Sequence, residues 1–566
     1  MSERLERLMK LPVDKVVLTA SAAFAVAFVL WGVIDNKGLA KVTDTALGWV
    51  IQSFGWLFIL ASTGFVVLAA VLAFSRYGRI RLGQDDERPE FRTISWVTMM
   101  FSAGMGIGLM FYGVAEPLSH LAAPPMGMAE ANTQEAAQLG MQYTFFHWAF
   151  HPWAMYAVVG LALAYFSFRH GKANLISSLF APLIGKRAEG HAGRAIDTFA
   201  ILATLFGSAT SLGLGALQIN SGLNELYDVP MSKSMAVAII AALTVAFIIS
   251  AVSGVHRGVQ YLSNTNMVLA VALLFFLFVA GPTVFILSMF TESTGSYLWQ
   301  IAPMSFRSGA FGGQDWLGGW TIFYWAWWMS WTPFVGAFIA RISRGRTIRE
   351  FVFGVILAPS LVTFVWFSIL GGVSINLQLG GTDLAGALAQ GQETALFAVL
   401  REFPWFAVTA FVVVVLVAFF FISGADAASL VMATLSCRGC QEPRVLVTVF
   451  WGVMTGAVAA ILLVAGGKDD SAGLAALQTL CILAAFPFMF VMIGAAVGLV
   501  KELRNEPDPA PFPGRRKTAV EAVVDARVEA KVEAAVDAAV EARVLAADGG
   551  DPFTPPNGIP AVTPQP

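Results

Sequence analysis

Long apolar stretches alternate along this chain with short segments that hold most of its charge. Twelve of the stretches reach the ~20 residues that a helix needs to cross a hydrocarbon core. They lie near 15–34, 50–75, 93–115, 139–167, 196–221, 231–252, 259–291, 316–340, 347–370, 405–434, 443–465 and 473–500. Charged residues precede the first, and no small-residue cleavage site follows it, so it is expected to stay as a span. The pattern predicts an all-α polytopic membrane protein with 12 transmembrane helices.

Composition agrees. The chain is 57% hydrophobic and 13% charged, with a mean hydropathy of +0.70, which no soluble class tolerates. A net charge of −2 without a basic domain gives no sign of a nucleic-acid partner. With the N-terminus and every even loop on one side, that side holds 29 of the 35 Lys and Arg residues. The positive-inside rule then makes both termini cytoplasmic, in the cell's inner (plasma) membrane. Cys437, Cys440 and Cys481 offer no disulfide framework, and the lone Cys437–Cys440 CxxC reads as two chance thiols unless partners are found for them.

Span eight carries Tyr324, Trp327, Trp328 and Trp331 within an arc of about 100°. Rings crowded on one face enclose a cation by cation–π attraction, above all a quaternary ammonium without N–H donors. An interfacial belt accounts for tryptophans near a helix end; four rings on one face near mid-span go beyond that. On span four, Trp148, Tyr156 and Trp153 fall at about 0°, 80° and 140°, with Pro152 among them. His147 and His151, at i and i+4, raise haem or zinc. Yet His120, His170, His191 and His256 lie in loops or span ends, which favours structural hydrogen bonding for the pair.

Gly104-Met105-Gly106-Ile107-Gly108 interrupts span three, and Thr332-Pro333 is expected to interrupt span eight. Backbone groups freed by a break must line a cavity or meet a ligand; close packing of small residues is the plainer use of the glycines. The two positions sit five spans apart, which predicts inverted repeats with a site between them near the midplane. Span five carries Thr204, Ser208, Thr210 and Ser211, and span ten Ser423, Asp426 and Ser429 behind Phe419–Phe421. Such hydroxyls suit Na⁺ as a group, although any one of them back-bonds to its own helix by default.

With the Gly319–Trp328 string, the Gly104–Gly113 segment, Phe146-His147-Trp148, His151-Pro152-Trp153 and the Arg341–Glu350 loop, the chain resembles the betaine/choline/carnitine transporter family over roughly 45–505. The resemblance implies a leucine-transporter-type core of inverted five-helix repeats (spans 3–7 and 8–12), two extra N-terminal helices and a homotrimer. It places an aromatic box at Trp148, Trp153, Tyr156 and Trp328, with Trp327 and Trp331 along the pathway. One ion site is implied at Ser102, Met105, Phe420 and Ser423, and a second at Thr204, Ser208 and Phe334.

Sodium-coupled relatives commonly have two adjacent hydroxyl residues where this chain has Ser423-Gly424, so the first site is weakened or completed by water. Span five has no Arg to replace the cation, as a sodium-independent exchanger would. Choline-type relatives carry an acid at the last glycine of the motif, here Gly108, and the cage is expected to lack one. A neutral pocket with free N–H groups around Gly104, Met105, Gly106 and Gly108 suits a zwitterion. The expectation is therefore a symporter, not an enzyme, that takes up glycine betaine with Na⁺ as coupling ion and no other cofactor. Ectoine, proline, choline, carnitine or dimethylsulfoniopropionate, H⁺ coupling or exchange, and an osmolyte-gated channel stand as alternatives.

The domains expected are 1–14, a cytoplasmic N-terminus; 15–92, two peripheral helices; 93–291, the first repeat; 292–315, a connector; 316–500, the second repeat; and 501–566, a cytoplasmic tail. In the tail, valine recurs every four residues from Val520 to Val544 beside acidic positions, which predicts an Ala-rich helix ahead of a Pro-rich end. Arg515, Arg516 and Lys517 are positioned to meet anionic lipid.

Overall fold

Asp14 opens the first helix by accepting from the N–H groups of Val16 and Val17 at 2.9 and 3.1 Å. The computed structural model describes residues 13–104, 106–253, 256–440, 442–465 and 470–507, and within the separate C-terminal unit only Lys531, Ala534, Ala535 and Ala538, all helical; it leaves the side chains of 101–104, 253, 256–264 and 470–472 undescribed. Met105, Arg515, Arg516, Lys517 and most of the expected tail helix therefore lie outside the described residues.

The helices are α1 (Lys15–Ile34), α2 (Asn36–Phe74), α3 (Thr93–Gly104), α4 (Ile107–Ala122), α5 (Gln134–Trp148), α6 (Phe150–Ala164), α7 (His191–Tyr227) and α8 (Lys233–Ser253). Then come α9 (His256–Ala280), α10 (Thr283–Ser305), α11 (Phe323–Arg341), α12 (Ile348–Leu379), α13 (Phe406–Ser436), α14 (Val445–Ala465) and α15 (Asp470–Asn505). Among the described residues nine helices are long and apolar enough to cross a membrane, or ten if α9 and α10, bent by 109°, count as one broken span.

The glycine motif does break span three: α3 ends at Gly104, α4 starts at Ile107, and Gly106 between them has φ −155° and ψ −124°. Span eight departs from expectation. α11 runs through Pro333 without a stop, and the Thr332 hydroxyl donates to the Trp328 carbonyl at 2.9 Å. The irregular turn lies earlier, a π-type segment at Gly318–Ile322. The seventh apolar run is not one helix, because Gly281-Pro282 ends α9 and Pro282 supplies no N–H to continue it.

α5–α6 and α7 form the centre: 94% and 89% of their most apolar stretches are buried, against 28% for α1 and 22% for α8. α11 packs chiefly on α6, α15 and α7. Outward faces stay apolar, with Ile249, Phe275 and Leu446 about two-thirds exposed, as lipid-facing side chains are.

The Arg-rich loops knit one end together. The loop after α2 pairs with the loop after α11: Leu82 N–H donates to Arg346 O at 2.8 Å and Ile348 N–H to Ile80 O at 2.9 Å. The Arg346 guanidinium sits 4.0 Å from the Trp96 ring. Nearby, Cys437 and Cys440 are disulfide-bonded, contrary to the chance-thiol expectation. Left-handed residues Arg438 (φ 56°) and Gly439 (φ 82°) turn the chain so that the two Cα atoms stand 5.6 Å apart, within disulfide reach. The Arg438 guanidinium reaches Glu189 O at 2.6 Å and lies 3.8 Å from Asp14. Burial pushes the Asp14 carboxyl up; the hydrogen bond from Arg194 (2.8 Å) and those from Val17 and Val16 outweigh it, and hold the group below its ordinary value.

Candidate solute and ion site

The aromatic faces of α5–α6 and α11 meet. Trp328 lies with ring centroids 4.9 Å from both Trp148 and Trp327, 6.4 Å from Tyr156 and 6.2 Å from Trp331. Trp153 packs edge-on to Tyr156 at 5.6 Å. Trp148, Trp153, Tyr156, Trp327 and Trp328 are buried, and Trp331 is half-buried. The structure thus assembles all six rings expected from sequence. Indole N–H groups are tied away from the ring faces: Trp328 to His147 O at 2.9 Å, Trp327 to Ser211 Oγ at 3.1 Å and Trp331 to Gly207 O at 3.2 Å. Anchored N–H groups leave the faces, where the quadrupole is negative, for packing or for a cation.

The span-four face is not one continuous helix. α5 ends at Trp148, Ala149 adopts φ −102° and ψ −112°, and α6 begins at Phe150. Pro152 is the cause that sequence offers, since it has no N–H for the Trp148 carbonyl four residues before it. That carbonyl accepts instead from Thr363 Oγ1 at 3.2 Å, and the His147 carbonyl takes the Trp328 indole. Both freed acceptors are satisfied by side chains of other spans, as an apolar surrounding demands.

Gly108 is where the broken span touches the cage. A Cβ there would stand 2.8 Å from the Cη2 atoms of both Trp148 and Trp327, so only glycine lets the backbone approach the rings this closely.

None of the six ring residues is acidic, but an acid that the sequence reading did not place stands directly behind them. Glu116, wholly buried on α4, accepts through Oε2 from Trp148 Nε1 at 2.7 Å and from the Tyr324 hydroxyl at 2.5 Å. Its Oε1 lies 2.6 Å from His147 Nδ1 and 3.4 Å from His120 Nε2, while His147 Nε2 meets Thr321 Oγ1 at 3.0 Å. The apolar run in sequence ends at 115, one residue short of Glu116; a carboxylate flanked by Val114-Ala115 and Pro117 was the available signal. His120, read as a span-end residue, is equally buried and joins this cluster.

The nitrogens of His120 and His147 and an oxygen of Glu116 lie within 4.8 Å of one another, the reach of a metal triad. Two ligands ~2.1 Å from one tetrahedral ion would stand about 3.4 Å apart. The 2.6 Å contact between Oε1 and Nδ1 is a hydrogen bond, which supports the structural reading of His147. His151 meets Ser305 Oγ at 3.1 Å, again a structural contact.

Beside the cage lies a cavity of about 110 Å³, lined in part by Gly106, Ser208, Trp331, Phe334, Phe420, Ser423 and Gly424. It brings together members of both expected ion sites. Ser208 Oγ has no hydrogen-bond partner among the described residues, whereas Thr204 back-bonds to Ala200 O at 2.8 Å and Ser423 to Phe419 O at 2.9 Å. Asn266 Oδ1, also on the cavity wall and also without a partner among the described residues, was missed in the sequence because a single Asn in an apolar run has no pattern. Ser208 and Asn266 offer hard oxygens of the kind that suit a small cation. A Cβ on Gly424 would meet nothing within 4 Å, so the missing second hydroxyl leaves open space. The side chain of Ser102, and Met105 altogether, lie outside the described residues. Asp426 turns to Ser250 Oγ at 3.1 Å, on another face.

Residues 16–508 match the family described as BCCT, betaine/carnitine/choline family transporter. The chain belongs to this family. It is 45% identical over 502 residues to a probable glycine betaine transporter of Desulfitobacterium hafniense, covering 88% of this chain and 100% of that one. It is 47% identical over 487 residues to the glycine betaine transporter OpuD of Bacillus subtilis, covering 86% and 93%. The betaine/ectoine transporter LcoP of Corynebacterium glutamicum is 41% identical over 506 residues, covering 88% and 79%. Family membership makes the protein a multi-pass membrane transporter and not an enzyme.

Proposed function

We propose that the protein is a secondary active symporter that imports glycine betaine with Na⁺ by alternating access. The observation that carries this reading is the cage itself: Trp148, Trp153, Tyr156 and Trp328 converge, with the N–H groups of Trp148 and Trp328 anchored and the Gly108 backbone against the rings. A trimethylammonium group has no donors and is held by ring faces. The solute carboxylate is assigned to backbone N–H groups at the Gly104–Ile107 break, where a helix N-terminus begins. The names of the relatives support betaine as the solute, with ectoine next.

Na⁺ is assigned to the adjoining cavity, with Ser208, Phe334, Phe420 and Ser423 from the expected sites and Asn266 added. One charge crossing ~100 mV gains about 2.3 kcal/mol, so two Na⁺ with a neutral solute gain ~4.6 kcal/mol, roughly three decades of accumulation. Because Ser423 is back-bonded and Gly424 bears no side chain, a single Na⁺ is the second reading. The proposal includes twelve spans in two inverted five-helix repeats behind two peripheral helices, cytoplasmic termini, the inner membrane and a homotrimer.

Equilibrium binding tests it. Labelled glycine betaine should bind the purified protein saturably, with affinity rising in Na⁺ over K⁺ or choline chloride. Absent betaine binding under every salt would overturn the reading; sodium-independent binding would overturn the coupling alone.

A further inference from the structure

Glu116 belongs to neither the aromatic box nor the ion residues, yet it holds two rings of the cage wall. Its Oε2 takes the N–H of Trp148, which packs on Trp328, and the hydroxyl of Tyr324, whose ring is stacked on Trp328 at 20° and 6.0 Å. An indole N–H can only donate, so Oε2 is an acceptor there. We assign His147 the Nδ1–H tautomer, in which that proton points at Oε1 2.6 Å away and Nε2 accepts from the Thr321 hydroxyl at 3.0 Å. Three donors on two oxygens is the pattern of an ionised carboxylate. The contact to Trp148 is made at the edge of the indole, through Nε1, and so does not cover its face.

We infer that Glu116 sets the charge preference of the cage: its buried carboxylate, bonded to the Trp148 N–H and Tyr324 hydroxyl, makes those rings better hosts for a cationic head than for an uncharged group of the same shape. Two effects act in one direction. An anion accepting the N–H drives electron density toward the π face that meets the cation. A fixed negative charge close behind the wall, in a medium of low dielectric, attracts a positive head directly. Glu116 touches no solute in this arrangement; it acts through Trp148 and Tyr324 as a polarising and positioning residue. The inference rests on the cage being the solute site proposed above.

The test compares glycine betaine with 3,3-dimethylbutanoate, its carbon isostere, which has the same shape and carboxylate but no positive charge. Dissociation constants for both are measured on the purified full-length protein for the parent, Glu116→Gln and Glu116→Asp. Glu116→Gln should weaken betaine about tenfold and leave the isostere unchanged or tighter, shifting their ratio about tenfold. Glu116→Asp keeps the charge and should keep the parental ratio even if both ligands weaken. Parallel weakening of both ligands in Glu116→Gln, or an unchanged ratio, would overturn the inference and leave Glu116 a purely structural group. Should Glu116→Gln fail to fold, Trp148→Phe, which keeps a ring but cuts the link to the carboxylate, is expected to shift the ratio the same way by several-fold; no shift would overturn it. If the parent itself binds no betaine, the proposed function fails first; if the parent binds and Trp328→Leu does not, an unmoved ratio counts against Glu116 alone.

Discussion

Trp328 touches Trp148, Trp327, Tyr156 and Trp331 and also satisfies the carbonyl that the α5–α6 break leaves open at His147. Trp328→Leu therefore removes a wall of the cage and a backbone partner together. A desolvated cation–π contact is worth about 2 kcal/mol or more, so betaine affinity should fall at least ~30-fold, as read by equilibrium binding. Gly108→Ala acts from the opposite wall. Its methyl meets Trp148 and Trp327 at 2.8 Å, and overpacking of ~1–3 kcal/mol should weaken binding about tenfold while the protein still assembles. The tryptophans and glycines could be read from sequence because their spacing places them on one face or at one break. The roles of Glu116, His120 and Asn266 could not, even where a buried carboxylate was signalled, since those roles lie in partners that spacing does not show: Trp148 and Tyr324 for the first, the Glu116 carboxylate for the second, the shared cavity for the third.

At the scale of elements, breaks were legible where glycine made them and less so where proline did. Gly104–Gly108 ends a helix as expected, because consecutive freedom at alternate positions cannot be stiffened by neighbours. Pro333 was expected to do the same and does not, with Thr332 bonding back to Trp328 O beside it. Pro152, by contrast, follows a true break at Ala149, and the Trp148 carbonyl it leaves unserved depends on Thr363. Thr363→Val keeps the shape and deletes that donor. The orphaned carbonyl should cost about 1–3 kcal/mol, seen as a lower apparent melting temperature in detergent with betaine affinity reduced in step.

Across the whole molecule, the first helix is tied to the Arg-rich end through Asp14, which bonds Arg194 and approaches Arg438. A carboxylate held below its ordinary value of 3.8 contributes stability that is present above that value and lost as pH falls through the lower folded one. Asp14→Asn should therefore lower thermal stability by a constant amount from about pH 5 to 8, with the gap to the parent closing only below about pH 4. The tail carries a different expectation. If Arg515–Lys517 and the helix beyond sense the membrane, deleting 515–566 should preserve betaine uptake but flatten its dependence on osmolality; an unchanged activation profile would remove the tail from regulation.

The central claim is that the ring cage binds a betaine whose import is driven by sodium. Uptake of labelled glycine betaine into proteoliposomes, with and without an inward Na⁺ gradient, tests it for the parent and for Trp328→Leu side by side. The account predicts accumulation that requires the gradient in the parent and disappears in the variant. Uptake indifferent to Na⁺, or undiminished in Trp328→Leu, would contradict it.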